Sequence, residues 1–521
     1  MPKFISAADA AELIDDGINI GICGFGGWLG ADLVFSAIRD RFKAHGSPSE
    51  ISVFSGILPG NLRPDDCGMN ILASEGLVRS VTAAHLGMAP LFSRLVYKEG
   101  IEAFAIPLGV VAGLLKAAAG RKPGLLTKVG LGTFCDPRLE GCAMNKTAAL
   151  SGRSPVELMQ IDGVNYLFYR APKLSACILR ASAVDSEGNI STKYDPMTAE
   201  QLEMALAVKA NGGKVIVQAD RMVAAGAFSP RDVLIHRSFV DYVVLDSEGA
   251  CPPGYDCPKY RPELVESGRA EVQAENADTL DYRKLCGRRG VFELHSGSIA
   301  NLGIGVPDSV ASAAALEGIS EHLTLSLESG PLGGVPVGGV GFGAAVHPEA
   351  IMRPCDTFDY YDGGGLDIAF LGAAEIDSEG NVNVSRFADR MTGPGGFIDI
   401  AQNTPRVCFM GSFTASGMKA SASGGILSID REGKSKKFVK RVSQVTFSAA
   451  TALETSQQVL YITERAVFRL KKKGLELIEI APGVELERDI LDQMDFVPDI
   501  SPELKLMDER IFTEGKMGIG R

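Results

Sequence analysis

Positive charge and metal-binding side chains are both scarce in this chain. Its 52 lysines and arginines are outnumbered by 64 aspartates and glutamates, giving a formal net charge of −12. No long basic run interrupts that balance, which argues against nucleic acid or an anionic membrane surface as the main partner. The six histidines, His45, His85, His236, His295, His322 and His347, stand apart, without an HExxH or CxxC context, so no metal is expected. Ten cysteines are scattered singly; the nearest pair, Cys251 and Cys257, lacks a second pair or histidines at metal spacing, and reduced structural thiols are the expectation. No apolar run approaches the ~20 residues of a membrane span. The opening MPKFISAADAAELIDDG reads as an acidic amphipathic helix rather than a basic leader followed by an apolar core, and a cytoplasmic enzyme is expected.

Glycine is plentiful instead, at 60 of 521 residues against an average usage of about 7%, with no collagen-like period. Many tight turns and backbone-lined surfaces follow. The length is more than one core serves comfortably, so two domains are expected.

The chain repeats itself. DSEGNIS at 185–191 recurs as DSEGNVN at 377–383, and the same offset aligns NGGKVIVQADR at 211–221 with NTPRVCFMGSF at 403–413. Upstream, GINIGICGFG at 17–26 resembles GSIANLGIGV at 297–306, and ISVFSG at 51–56 resembles LSLESG at 325–330. Apolar strand-like runs alternate with helical patterns such as ADLVFSAIRDRF, so each half is expected to be α/β, built on an open, mainly parallel sheet flanked by helices. The boundary is placed in the polar stretch 258–290, which lacks sustained periodicity at its ends; the two domains are 1–270 and 285–521.

Aligning the halves isolates one intruder. Where the first half has Phe54 before Ser55-Gly56, the second has Glu328 before Ser329-Gly330, at the end of the apolar run LTLSL. Ligands of open α/β sheets sit outside the carboxyl ends of strands, so a carboxylate there faces a cleft. The bland alternative is an exposed acid in a turn. Around Glu328 the glycines multiply, at 330–343, 362–367 and 393–396, and glycine lets backbone amides approach a ligand and stabilise a developing oxyanion. GFGGWLG at 24–30 does not fit the GxGxxG dinucleotide fingerprint, because its third glycine is displaced, so nicotinamide or flavin chemistry is not expected. Two basic runs, 433–441 and 471–473, read equally well as solvated surface and are assigned no role.

Together NLGIGVP at 301–307, ESGPLGGVPVGGVGFG at 328–343, FDYYDGGGLDIAFLG at 358–372, GNVNVSRF at 380–387 and GGFIDI at 395–400 resemble family I CoA-transferases, in the branch that fuses both halves in one polypeptide. The resemblance runs over nearly the full chain. It implies two NagB-like domains with the active site in the cleft between them, Glu328 as a nucleophile that carries CoA as a thioester, and no cofactor beyond coenzyme A itself. It also implies oxyanion donors at Asn301, Gly303, Ile304, Gly395 and Gly396, and an acid-binding side at Gly24, Phe25, Gly26, Gly27, Trp28 and Leu108. The partners implied are an acyl-CoA and a carboxylic acid, in a homo-oligomer, dimer or tetramer. The chain departs from similar enzymes at Leu108, where they carry glutamine, which implies a bulkier or less polar acid than acetate or propionate. Two other readings are an acyl-CoA hydrolase using the same glutamate, distinguished by thiol release without an acceptor acid, and a non-catalytic ligand sensor, which has no use for a lone carboxylate among oxyanion donors.

Overall fold

The computed structural model describes residues 1–521 apart from 247, 248, 250–252, 258, 388, 389, 520 and 521, so Cys251 lies outside the described residues. The described cysteines all carry free thiols. Two compact units divide the chain. Unit 1 comprises Met1–Arg269, Leu327–Asp359 and Ala388–Asp399; unit 2 comprises Ala270–Ser326, Tyr360–Phe387 and Ile400–Arg521. The segments with Glu328 and with Gly395–Gly396 therefore pack in unit 1, although they belong to the second sequence repeat.

Unit 1 is built on an eight-stranded sheet. Across it run Lys3–Ile5, Tyr242–Leu245, Lys214–Ala219, Ala176–Ala181, Asn19–Ile22, Ile51–Ile57, Val78–His85 and Glu102–Ala105, every pair parallel. Parallel strands covered on both faces read as continuous apolar runs, as Ala176–Ala181 does, every residue of it buried. Its one charged residue, Arg180, is satisfied by Asp220 Oδ1 at 2.9 Å and the Gly30 carbonyl at 2.9 Å. Strand order reverses between Asn19–Ile22 and Ala176–Ala181, and the 24–30 turn leaves the carboxyl end of the former, where open sheets of this kind gather ligands.

Helix Leu108–Ala119 begins behind Pro107, whose φ of −57° suits a helix start, and is apolar almost all round, as a fully covered helix must be. It packs on helix Gln201–Ala210, which in turn rests on the central strand. A Cβ at Gly21 would come within 2.7 Å of Met204 Sδ, so the glycine there permits that close seat.

Unit 2 repeats the plan. Its sheet runs Thr324–Ser326, Ile299–Leu302, Ile368–Gly372, Arg406–Met410 and Gln458–Ile462, all parallel. An antiparallel hairpin, Ala466–Lys471 with Gly474–Ile480, follows, and Asp499–Leu506 pairs parallel beyond it. Matching strands occupy matching places: 19–22 with 299–302, 51–57 with 324–326, 176–181 with 368–372, and 214–219 with 406–410. The two DSEGN turns also match bond for bond. Asp185 Oδ1 accepts from the amides of Glu187 (3.0 Å) and Asn189 (2.9 Å), and Asp377 Oδ1 from those of Glu379 (3.1 Å) and Asn381 (2.9 Å).

Two expectations need correction. The N-terminus does not begin as a helix: Lys3–Ile5 is a strand at the sheet edge beside Tyr242–Val244, and the helix starts at Ala7, capped by Ser6, whose Oγ accepts from the Asp9 amide at 3.1 Å. The end of the polar 258–290 stretch is a helix, Tyr282–Val291, whose buried face includes Arg288 and Arg289 and so carries no apolar period. Arg288 gives Nε to Glu275 Oε1 at 2.8 Å and Nη1 to the Thr513 carbonyl at 2.6 Å; Arg289 pairs with Glu479 at 2.7 Å.

Candidate active site

Chain direction changes sharply around Glu328. The Leu327 amide donates to the Pro331 carbonyl (2.9 Å) and the Gly330 amide to the Leu327 carbonyl (3.0 Å). Gly330 has φ +125°, and a Cβ there would fall 2.1 Å from the Met352 carbonyl oxygen, so only glycine fits. Ser329, fully buried, donates its hydroxyl to the Gly343 carbonyl. These bonds fix the loop from both sides and hold Glu328 in place, 9% exposed.

The partner of the Glu328 carboxylate is backbone. The segment carrying Gly395 and Gly396 is tied to the sheet's carboxyl edge, with the Gly395 amide on the Ala84 carbonyl (2.9 Å) and the Leu86 amide on the Thr392 carbonyl (2.7 Å). Gly395 spends its own N–H on Ala84 and offers its carbonyl to the Leu108 amide (3.0 Å), which leaves the Gly396 N–H to donate to Glu328. A Cβ at Gly396 would stand 2.0 Å from Glu328 Oε2, so any side chain there displaces the carboxylate. Burial pushes the Glu328 carboxyl up from 4.5 to about 7, against the smaller downward pull of the Gly396 amide.

Leu108 begins its helix fully buried, its Cδ1 3.1 Å from where a Cβ at Gly56 would sit. It thus lies between Gly56 and the Gly395 carbonyl, in the neighbourhood of Glu328. The 24–30 turn is held separately. Phe25 and Trp28 exchange backbone hydrogen bonds at 3.1 Å, and the Gly60 amide donates to the Gly26 carbonyl at 2.8 Å. Trp28, 2% exposed, donates its indole N–H to the Gly341 carbonyl at 3.1 Å, and Phe25 stacks on Phe342 at 6.4 Å. Gly24 lies against Pro59, and a Cβ at Gly27 would be 2.0 Å from the Val340 carbonyl oxygen. This turn therefore braces the segment that follows Glu328 in the chain.

Asn301, Gly303 and Ile304 belong to unit 2. Asn301 donates its side-chain amide to the Ser326 carbonyl at 3.0 Å, Gly303 donates its N–H to the Phe370 carbonyl at 2.8 Å, and Ile304 is exposed. Among the described residues, no group of three or more histidine, cysteine, aspartate or glutamate side chains is arranged to hold a metal, and no helix is long and apolar enough to cross a membrane.

Sequence reasoning missed Glu200, a buried carboxylate beside Gly56 and Leu108. It precedes helix Gln201–Ala210, and in a sequence an acid at that place reads as a helix-dipole partner. Glu203, one turn on, was also missed; it takes an ion pair from Arg353 Nη1 at 3.1 Å and lies 3.3 Å from Cys355 Sγ.

Known proteins agree with this reading of the fold. The Coenzyme A transferase family model matches residues 4–246. Caffeate CoA-transferase of Acetobacterium woodii is 43% identical over 99% of this chain and 98% of its own length. Acetate CoA-transferase YdiF of Escherichia coli K12 is 39% identical over 99% of this chain and 96% of its own. The crystal structure of the acyl-CoA transferase YdiF from E. coli O157:H7, a thioester complex with CoA, superimposes with a TM-score of 0.92 at 37% identity, covering 99% of this chain and 97% of that one. The chain belongs to the family I CoA-transferases, in the two-domain form, and its activity is transfer of coenzyme A between an acyl-CoA and a free carboxylic acid.

The buried carboxylate also carries a stability consequence. A carboxyl raised from 4.5 to about 7 by folding favours the folded state fully below pH 4.5, and that contribution is lost as pH rises to about 7. At about 1.4 kcal/mol per tenfold, ionised Glu328 costs on the order of 3 kcal/mol at pH 8. Glu328→Gln is therefore expected to melt several degrees higher than the parent at pH 8, with the gap closing toward pH 5, as measured by calorimetry across that range.

Proposed function

We propose that transfer proceeds by a ping-pong mechanism through a glutamyl-CoA thioester on Glu328. The observation that carries this reading is the Glu328 carboxylate itself: buried, without a cation among the described residues, and held by the Gly396 amide. Weak solvation raises the nucleophilicity of such a carboxylate, and an aligned N–H favours the oxyanion that forms when its carbonyl is later attacked. The carboxylate attacks the thioester carbonyl of acyl-CoA, the C–S bond breaks, and an acyl-glutamyl anhydride and CoA thiolate result. The thiolate then attacks the glutamyl carbonyl, the anhydride C–O bond breaks, and the first acid leaves. A second acid runs the sequence backwards. No proton is gained or lost overall, and no metal or redox cofactor enters.

In this reading unit 1 supplies both the nucleophile and the acid-binding side, with Leu108 and the Gly24–Trp28 turn shaping the latter; Asn301, Gly303 and Ile304 act from the 285–521 domain. The enzyme works in the cytoplasm as a homo-oligomer, dimer or tetramer. The acid is a monocarboxylate larger than acetate, and a ring-bearing acid is favoured by the apolar Leu108 and by the relative whose name specifies caffeate. Hydrolysis as the main reaction finds no support among the relatives, which are named as transferases.

Incubation with acyl-CoA followed by borohydride or hydroxylamine is expected to inactivate the parent enzyme and modify the peptide containing Glu328; Glu328→Ala stays unmodified and inactive while folding normally. A modification mapped to another peptide contradicts the assignment. For the acid, kcat/KM is compared across acetyl-, propionyl- and larger acyl-CoA donors in the parent and in Leu108→Gln. Apolar cover is worth ~0.8 kcal/mol per methylene, so the parent is expected to favour the larger acids and the variant to shift toward small or hydroxylated ones. A uniform loss with a lower melting temperature instead assigns Leu108 to the core alone.

A further inference from the structure

Glu200 is 1% exposed, and among the described residues no other residue hydrogen-bonds its carboxyl oxygens, which feel only the pull of its own backbone amide. An acid buried in this way costs folding energy that a leucine of similar volume does not. Its backbone carbonyl accepts from the Met204 amide at 2.9 Å, and helix Gln201–Ala210 packs on helix Leu108–Ala119. The side chain is turned toward Gly56, where a Cβ would lie 3.0 Å from each of its oxygens and 3.1 Å from Leu108 Cδ1. From Leu108 a backbone bond leads to Gly395, and the next residue, Gly396, holds Glu328. Glu200 and the nucleophile thus border one region, all of it in unit 1. Two more buried polar side chains in the same stretches also lack partners, the Ser55 hydroxyl and both ends of the Gln201 amide.

The titratable groups around Glu200 are Glu203, Glu328 and Cys23, with Asp399 against Gly109 at the start of the neighbouring helix. Arg353, which pairs with the neighbouring Glu203, is also held by Asp356. Among the described residues no cation compensates a charge on Glu200, and the neighbouring carboxylates oppose one. Burial first, then Glu203 and Glu328, push its carboxyl up from 4.5 to about 8, so it holds a proton at neutral pH. A protonated carboxyl has an O–H to give, and among the described residues nothing takes it.

Resting on the reading of Glu328 as the nucleophile, we infer that Glu200 is the donor that binds the acceptor acid, giving its O–H to one carboxylate oxygen while the other attacks the glutamyl-CoA carbonyl. The same bond holds the carbonyl oxygen derived from that acid in the anhydride, and the proton stays on Glu200 throughout. A neutral donor suits this task better than an arginine. It fixes the carboxylate by a strong charge-assisted bond, yet does not stabilise the free acid as deeply as a cation, which would blunt its attack. Acceptor acids arrive when Glu328 is an uncharged thioester, so the site then holds a single negative charge. The hydrogen bond recognises the carboxylate group alone, which leaves chain length and ring content to Leu108 and its neighbours.

The test compares the parent with Glu200→Gln and Glu200→Leu, measuring the acceptor acid's KM from pH 6 to 9.5 and the CoA charged onto Glu328 by acyl-CoA in the absence of acceptor. The parent is expected to lose activity as pH rises through about 8, because the donor proton leaves. Glu200→Gln keeps a donor that does not titrate, so that alkaline fall disappears. Glu200→Leu raises the acceptor KM by about tenfold or more, and by more than Glu200→Gln does, while CoA still charges Glu328 to full stoichiometry. Persistence of the alkaline fall in Glu200→Gln, or an acceptor KM within twofold of the parent in Glu200→Leu with Glu328 fully charged, overturns the role of Glu200 alone. Failure of the parent to charge Glu328 overturns it together with the nucleophile. If Glu200→Leu does not fold, the pH profile of Glu200→Gln decides.

Discussion

A carboxylate buried beside one backbone amide, with no cation among the described residues to neutralise it, is the constraint on which the site depends. Placing Glu328 there costs folding energy, and that cost is why the surroundings are so closely fixed. The Gly396 amide reaches the carboxylate only because Gly395 is pinned to Ala84 and Leu108 is pinned to Gly395. Two glycines around the carboxylate have a specific steric reason. A side chain at Gly396 would occupy the carboxylate's own position, and one at Gly330 would strike the Met352 carbonyl. The result is a reactive group whose geometry is set by backbone, which is stiffer than any side-chain partner.

The scaffold that permits this arose by repetition and then lost its symmetry. Both units lay equivalent strands in the same order, and both close one corner with the same aspartate-capped DSEGN turn. In the second strand of the repeat one copy carries Phe54, and at the aligned place just past the strand's end the other carries Glu328. The chain from Leu327 to Asp359 then belongs to unit 1. One copy thus contributes the acid, while the other houses it with the 24–30 turn and the Leu108 helix. The carboxyl end of a parallel sheet is open to such use because its loops are free of the hydrogen bonding that fixes the strands.

Much of this was legible in the sequence, for identifiable reasons. Strands such as Lys214–Ala219 and Arg406–Met410 announce themselves because burial on both faces demands unbroken apolar runs, and the glutamate at 328 stands out because its repeat partner is phenylalanine. Other features were hidden. The edge strand Lys3–Ile5 is too short to carry a period, and helix Tyr282–Val291 buries arginines instead of leucines. That Leu327–Asp359 packs with the first half is a long-range fact with no local signature. Glu200 was the most consequential omission: an acid before a helix has a routine explanation, and only its burial without a partner sets it apart.

The central claim is that an oxygen of Glu328 is chemically exchanged with the acid at each turnover. If the acceptor acid attacks a glutamyl thioester and the thiolate then cleaves the anhydride, one oxygen of the acceptor remains on the enzyme. Turnover with acyl-CoA and an acceptor acid labelled in both carboxyl oxygens with oxygen-18, followed by peptide mass spectrometry, is the direct measurement. The peptide containing Glu328 should gain the label in one carboxyl oxygen per turnover cycle, with none in other peptides. Product acyl-CoA formed in quantity with no label in that peptide would contradict the account, because it would mean that coenzyme A passes between acids without a covalent bond to Glu328.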